Sequence, residues 1–197
     1  DHLAGHLVKA SHASGGSAGN SMIATAQFGG PTFMSCKVAN DRDGDIYIAD
    51  LEAAGVDHCL KNDRATGTTG KCLVLITPDA ERSMNTFLGI SETLSIEQLD
   101  AQAIAASEYL YIEGYLVTSP SGRAAAIRTR EVAEAAGVKT ALSFSDPGMV
   151  EFFRDGIAEI IGNRLDLVFC NEDEALGWAQ SDNLDVAVEK IKEVAKT

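Results

Sequence analysis

Basic residues are scarce in this chain. Lysine and arginine together number 16 against 29 aspartates and glutamates, which gives a net charge of −13 over 197 residues. A nucleic-acid-binding surface needs basic residues clustered on one face, and here they are scattered. We therefore expect no nucleic-acid partner. A small anionic ligand stays compatible with this charge, because a few local donors are enough to hold a phosphate.

Long apolar runs are also missing. The chain has no stretch of about 20 apolar residues that would span a bilayer, and no pattern typical of a secretory signal. Its hydrophobic content of 45% and charged content of 23% are those of an ordinary globular protein. We expect a cytoplasmic protein without a membrane partner, with room for one core and a small accessory piece.

Cysteine and histidine number four each, and neither shows a metal-binding pattern. No C-x-x-C pair and no H-E-x-x-H arrangement occurs. The sequence thus predicts no metal site formed by a His/Cys cluster. Buried free thiols in a reducing compartment are the simple interpretation of Cys36, Cys59, Cys72 and Cys170.

The chain does contain a regular alternation of strand and helix patterns. Three strand-like runs each end in a polar residue: 109–112 before Glu113, 140–145 before Asp146, and 166–170 before Asn171. Alternation of this kind predicts an α/β fold with three layers, in which a mainly parallel twisted sheet carries helices on both faces. Ligands bind outside the carboxyl ends of such strands, so the polar residues indicate a small-molecule site.

Helix boundaries follow from capping residues. Ser119-Pro120 and the glycine at 137 delimit a helix over 120–136, and a second helix is predicted from about Asp43 to 54. Ser95 to Gln98 forms a capping box, which predicts a helix with Ile96, Leu99 and Ala103 on one face. A further helix is predicted from Ser21 to about Phe28.

Residues 66–88 contain two strand-like runs with no helix between them. The turn-like Pro78-Asp79-Ala80-Glu81 separates runs at 71–77 and 82–88, which predicts an antiparallel hairpin that projects from the α/β layers. The first run is apolar on both faces, so each face needs a cover. The main domain or a ligand is one candidate cover, and more sheet or a second subunit is the other.

Several residues are candidates for ligand contact, each with a structural alternative. The glycines Gly15 and Gly16 precede Asn20 and a helix, where backbone can approach a ligand or simply form a turn. Asn171 and Glu174 have the spacing of a capping box, yet they stand at a strand's carboxyl end. Asp146 has the same two interpretations.

Glu113 differs from the other candidates. It follows apolar and aromatic residues and precedes a glycine, so capping explains it poorly. It is the best single candidate for direct contact with a ligand. A P-loop at Gly67 to Lys71 is rejected, because Ala65 stands where its first glycine belongs and Cys72 replaces the Ser or Thr.

Taken in order, these segments resemble the ribokinase-like (PfkB) carbohydrate kinase family, and within it the adenosine-kinase-like branch. The resemblance covers nearly the whole chain. The matching stretches lie at 15–20, 37–44, 66–68, 81–86 with 88–89, 109–115, 145–147 and 171–175. Met22 and Ala39 depart from the family pattern, which prefers a small residue and a glycine there.

The resemblance implies a kinase that uses ATP and magnesium to phosphorylate a hydroxymethyl group of a sugar or nucleoside. It implies that Gly15, Gly16 and Asn20 bind the sugar hydroxyls and that Glu113 lies beside the sugar pocket. Asn171 and Glu174 would match the N-x-x-E motif that organises magnesium and phosphates, with Asp146 as a further candidate. The hairpin at 66–88, with part of 1–14, would form the family's lid.

The family's catalytic base lies in a Gly-Ala-Gly-Asp motif, which is absent from this sequence. We therefore expect residues 1–197 to be an incomplete ribokinase-like domain that does not turn over ATP alone. By resemblance, the first strand would precede Asp1, and most of the nucleotide pocket would follow Thr197.

Two other functions and two open properties remain. One alternative is a non-catalytic sugar- or nucleotide-sensing module. The other is an unrelated α/β protein, a hypothesis that leaves Glu113 unexplained. Met84 and Phe87 would suit an aromatic base, which favours a nucleoside, or they are lid packing. A homodimer through the doubly apolar lid strand and a monomer with a folded-back lid are both left open.

Overall fold

The computed structural model describes residues 11–60 and 64–196, in which helices and strands alternate as expected. The helices are α1 (Ser17–Gln27), α2 (Arg42–Ala53), α3 (Ala101–Ala105), α4 (Pro120–Ala136), α5 (Pro147–Ile161), α6 (Glu172–Ala179) and α7 (Leu184–Val194). The strands are β1 (Thr32–Met34), β2 (Val56–His58), β3 (Lys71–Ile76), β4 (Arg82–Phe87), β5 (Tyr109–Glu113), β6 (Lys139–Ser143) and β7 (Leu167–Phe169). Short 3₁₀ turns occur at Gly89–Thr93, Ile96–Gln98 and Gly114–Thr118.

The centre of the fold is a parallel sheet with the strand order β5-β6-β7. Its register aligns Glu113 with Ser143 and Ser143 with Phe169, so the three strands end at one edge. Helices α5 and α6 pack beside it around Leu142 and Phe144, neither of which is exposed. The predicted α/β fold class is confirmed.

A second parallel pair, β1 and β2, forms its own small core around Leu51. Among the described residues it shares no strand pairing with the three-stranded sheet. Helix α1 links the two units, because it packs against β1 and β2 and also against β5. This contact sets α1 against the strand that carries Glu113.

The hairpin of β3 and β4 is confirmed. The two strands pair antiparallel from Lys71 with Phe87 to Ile76 with Arg82. Leu73, Ile76 and Met84 are at least half exposed, so much of the apolar surface of this hairpin is uncovered. The expected contribution from part of 1–14 falls mostly on residues outside those described.

Three local expectations were wrong. Helix α1 begins at Ser17 rather than Ser21, because Gly16 can take the backbone conformation that starts the helix there. The capping box at Ser95 forms, but it starts only a 3₁₀ turn, since Leu99 has extended backbone and Asp100 caps α3 separately. Cys72 is exposed rather than buried, because it lies on the uncovered hairpin.

Asp41 fixes the base of the hairpin to α2. Its carboxylate accepts hydrogen bonds from the amides of Gly44 and Thr69, both at 2.9 Å, and from the Thr69 hydroxyl at 2.6 Å. That hydroxyl in turn accepts from the Ala39 amide at 3.0 Å. Burial opposes ionisation of Asp41, but the hydrogen bonds from Thr69 and Gly44 and the charge of Lys71 outweigh it and lower its pKa.

We predict that Asp41→Ala lowers the free energy of unfolding by about 2–3 kcal/mol, because it removes a helix cap and leaves the buried Thr69 hydroxyl without its acceptor. Asp41→Asn keeps one acceptor oxygen and should lose about half as much. Chemical denaturation near neutral pH measures both values. Equal stabilities for wild type and Asp41→Ala would contradict this role.

The same contacts predict a pH dependence. A lowered pKa means that the ionised Asp41 stabilises the fold above the unfolded-state value of about 3.9 and that this stability is lost as pH falls through the folded-state pKa. The difference in unfolding free energy between wild type and Asp41→Asn should therefore shrink in acid. A constant difference across this range would show that the charge of Asp41 is irrelevant.

Candidate active site

The carboxyl edge of the three-stranded sheet brings the predicted polar residues together. Glu113 is the last residue of β5, Asp146 follows β6, and Asn171 follows β7. Because β5, β6 and β7 are neighbours in register, these residues lie at the same edge. The strand register thus brings these three predicted residues to one edge of the sheet.

Two hydroxyl groups hold the Glu113 side chain. Its Oε2 accepts a hydrogen bond from the Tyr111 hydroxyl at 3.2 Å, and its Oε1 accepts one from Ser145 Oγ. Glu113 as a residue is half-buried. Each carboxylate oxygen has two lone pairs, so a carboxylate fixed by two donors can still accept a hydrogen bond from a ligand hydroxyl.

Asn171 and Glu174 form the capping box. The Asn171 side chain accepts from the Glu174 amide at 2.8 Å, and Glu174 Oε2 accepts from the Asn171 amide at 3.1 Å. Asn171 Nδ2 also donates to Glu174 Oε1 at 3.1 Å. Glu174 is only 5% exposed, whereas Asn171 is exposed. The cap is thus real, and each carboxylate oxygen keeps the capacity for a second hydrogen bond.

Asp146 is also a helix cap. Its carboxylate accepts a hydrogen bond from the Gly148 amide at 2.8 Å, at the start of α5. A cavity of about 330 Å³ lies between α5 and α6 and is lined in part by Val150, Arg154 and Gly177, but Glu113, Asp146, Asn171 and Glu174 do not line it. The positive ends of both helix dipoles lie at this edge, and they offset part of the negative charge gathered there.

The acidic groups at this edge interact electrostatically. Burial raises the pKa of Glu174, and the charges of Asp146, Asp173 and Glu113 raise it further, against the opposing hydrogen bond from the Asn171 amide. Burial likewise raises the pKa of Tyr115, and the charges of Asp146, Glu113 and Glu174 raise it further. The edge therefore favours a bound cation or a neutral hydroxyl compound over a bare anion.

The glycine segment comes directly before α1, the helix that packs against β5. Gly16 has φ 88° and ψ 136°, a conformation open mainly to glycine, and it caps α1 without a side chain. Gly15, Gly16 and Asn20 are exposed. The pKa of Tyr111 is raised by burial and by the charge of Glu113, and Ser21 and Ser143 partly offset this rise. Ser21 of α1 therefore lies close to the Tyr111 hydroxyl.

Sequence reasoning missed both partners of Glu113. Tyr111 lies two residues before it on β5, and alternate strand residues share a face, so that contact was open to prediction. The contact from Ser145 depends on a left-handed backbone conformation with φ 73°, which no sequence pattern signals for a serine.

In residues 11–60 and 64–196, no group of three or more His, Cys, Asp and Glu side chains could hold a metal ion.

Comparison with known proteins decides the family. Residues 3–197 match the family described as pfkB family carbohydrate kinase. The chain belongs to the pfkB family. The resemblance seen in the sequence is therefore confirmed, and members of this family are phosphotransferases.

Within the part of the chain that is described, no helix combines the length and apolar composition needed to cross a bilayer.

Solved pfkB-like structures match the fold closely. A probable sugar kinase from Rhizobium etli CFN 42 is 33% identical with a TM-score of 0.90, and the match covers 99% of this chain and 59% of that one. An adenosine kinase from Sinorhizobium meliloti is 34% identical with a TM-score of 0.90, over 99% of this chain and 60% of that one. The chain thus spans about 60% of the length of these relatives.

A shorter sequence match is to a sugar kinase of Escherichia coli. The uncharacterized sugar kinase YegV of Escherichia coli (strain K12) is 37% identical over 60 residues, which is 30% of this chain and 19% of that protein. A fructokinase from Xylella fastidiosa, at 17% identity and a TM-score of 0.80, shares the fold. At this identity the fructokinase match shows the fold alone.

The capping box yields a stability prediction. Asn171→Ala should lower the free energy of unfolding by about 1 kcal/mol, because the cap of α6 is lost, while Asn171→Ser keeps an oxygen that can cap. Thermal or chemical denaturation measures the two values. If Asn171→Ser is destabilised as much as Asn171→Ala, side-chain capping does not account for Asn171.

Proposed function

We propose that the protein containing this chain transfers the terminal phosphoryl group of ATP to a hydroxymethyl group of a sugar or nucleoside. The observation that carries the proposal is the fixed, half-buried Glu113 carboxylate at the carboxyl edge of the sheet, beside α1. The family assignment supplies the class of reaction. The chain and its solved relatives also differ in length, so the activity of the whole protein is a proposal.

In this proposal Glu113 accepts a hydrogen bond from a hydroxyl of the acceptor. Gly15 and Gly16 let the backbone approach the same ligand without a side chain in the way, and the exposed Asn20 offers an amide to its hydroxyls. Polar contacts of this kind orient the acceptor, and phosphoryl transfer depends chiefly on positioning and charge neutralisation.

The residues at the edge suit magnesium held through water. Carboxylate and amide oxygens are the donors that this ion prefers, and it usually keeps several waters while bound by one or two carboxylates and the substrate phosphates. Glu174 is buried in its capping box and repelled by neighbouring acids, so a nearby cation would stabilise its ionised form. Asn171 and Glu174 would hold this hydrated ion, with Asp146 as a further candidate. Magnesium would neutralise phosphate charge during transfer.

The β3–β4 hairpin would act as the lid. Its apolar side chains Leu73, Met84 and Phe87 are at least half exposed, and they would cover the acceptor when it binds. Closure of such a cover excludes water and so limits wasteful ATP hydrolysis. The exposure of Met84 and Phe87 is compatible with an aromatic base and with simple lid packing, so sugar and nucleoside acceptors both remain candidates.

The absence of a Gly-Ala-Gly-Asp motif predicts that residues 1–197 alone do not turn over ATP. By resemblance, that motif supplies the catalytic base, and phosphoryl transfer needs a group that takes the proton of the attacking hydroxyl. A steady-state assay of ADP release with the 197-residue chain and each acceptor tests this. Robust acceptor-dependent release would contradict it.

For the full-length protein, a thermal-shift screen with ribose, fructose, adenosine and inosine, with and without an ATP analogue, selects the acceptor. Glu113→Gln should then raise the KM for that acceptor by about 10- to 100-fold, because a charged hydrogen-bond acceptor is lost, and leave the KM for ATP nearly unchanged. Steady-state kinetics with varied acceptor and varied ATP measures both.

The matched control is Glu189→Gln on α7, where Glu189 is exposed and pairs only with Lys192 among the described residues. This variant should behave as wild type. Two results would count against the proposal: no acceptor-dependent ADP release by the full-length protein, or an acceptor KM that Glu113→Gln leaves unchanged.

A further inference from the structure

Ser145 has a backbone conformation that is unusual for its residue type. Its φ of 73° is in the left-handed region, which L side chains other than Asn and Asp rarely adopt. Among the described residues, Ala80 and Gln180 are the other non-glycine residues with positive φ. Ala80 lies in the hairpin turn and Gln180 ends α6, so Ser145 alone has this conformation at the carboxyl edge of the parallel sheet.

The surrounding contacts hold this conformation and direct the hydroxyl group. The Ser145 amide donates to Ser143 Oγ at 3.1 Å, and the following amide of Asp146 donates to the Phe144 carbonyl at 2.9 Å. Asp146 then caps α5. With both sides of the residue fixed, the Ser145 hydroxyl reaches across from β6 to β5 and donates to Glu113 Oε1.

Gly114 allows this close approach. A Cβ atom at Gly114 would lie 2.5 Å from the Ser143 carbonyl oxygen, 2.8 Å from that of Phe144 and 2.9 Å from Ser145 Oγ. Real Cβ contacts are not this short, so any side chain at 114 would push the two strand ends apart. The backbone that carries Glu113 is therefore packed directly against the turn that carries Ser145.

We propose that Ser145 is a positioning residue for Glu113. Its hydroxyl fixes one carboxylate oxygen, Tyr111 fixes the other, and together they hold the orientation in which Glu113 meets the acceptor hydroxyl. This inference rests on the proposed function for the role of Glu113, but the contact between Ser145 and Glu113 is independent of it. Backbone strain retained at a site edge is a common mark of such a role.

Two substitutions separate the hydroxyl from the backbone conformation. Ser145→Gly loses the hydroxyl but adopts positive φ without strain, whereas Ser145→Ala loses the hydroxyl and keeps the strain. Both should raise the acceptor KM of the full-length protein by about tenfold and leave kcat within about twofold, because orientation of a binding group is lost. The control is Ser107→Ala, just before β5. It removes a hydroxyl that donates to the Ala103 carbonyl at 2.8 Å, and it should change neither kcat nor the acceptor KM.

A crystal structure of full-length Ser145→Gly provides the second measurement, which needs no activity. We expect the Glu113 carboxylate to leave its wild-type position or to lose a single defined orientation. An unmoved Glu113 overturns the proposal, and so does an acceptor KM that both variants leave unchanged in an active enzyme. A merely structural role would leave KM unchanged and appear as lower thermal stability in Ser145→Ala but not in Ser145→Gly.

The outcomes also separate this proposal from the proposed function. If the wild-type full-length protein phosphorylates no sugar or nucleoside, the kinase function fails, and with it the substrate role of Ser145. The position of Glu113 in the Ser145→Gly crystal then still decides whether Ser145 holds that carboxylate.

Discussion

Everything at the candidate site depends on the in-register parallel pairing of β5, β6 and β7. The ladder aligns Glu113 with Ser143 and Ser143 with Phe169, so residues from three distant parts of the chain reach the same height at one edge. The buried Leu142 and Phe144 hold the central strand against α5 and α6. A slip of one residue would turn Glu113 to the opposite face of the sheet, away from Ser145.

The same alignment concentrates negative charge. Asp146 caps α5 and Glu174 completes the capping box that Asn171 begins at α6, so both carboxylates lie where helix dipoles partly compensate them. Compensation is incomplete, since burial and neighbouring acids still raise the pKa of Glu174. In the proposed function the same residues would cap helices and also contact magnesium or phosphate, which is why the choice between cap and ligand had no answer in the sequence alone.

Local patterns predicted much of this fold. Ser119-Pro120 and Gly137 gave the bounds of α4 correctly, and alternation of strands and helices gave the parallel sheet. The helix predicted from the capping box at Ser95 was wrong, because a capping box does not indicate where a helix ends. Leu99 is extended here, and Asp100 caps a new helix. The partners of Glu113 were missed for different reasons: Tyr111 follows from strand periodicity, whereas the conformation of Ser145 depends on contacts with Ser143 and Asp146 that exist only in the folded chain.

The uncovered hairpin has a practical consequence for work with this polypeptide. Its strands β3 and β4 pair only with each other among the described residues, and Ile76, Met84 and Phe87 stand exposed along them. A two-stranded ribbon with apolar side chains and unpaired outer backbone groups is a template for intermolecular β-pairing. Self-association and precipitation in concentrated samples would therefore begin at this ribbon.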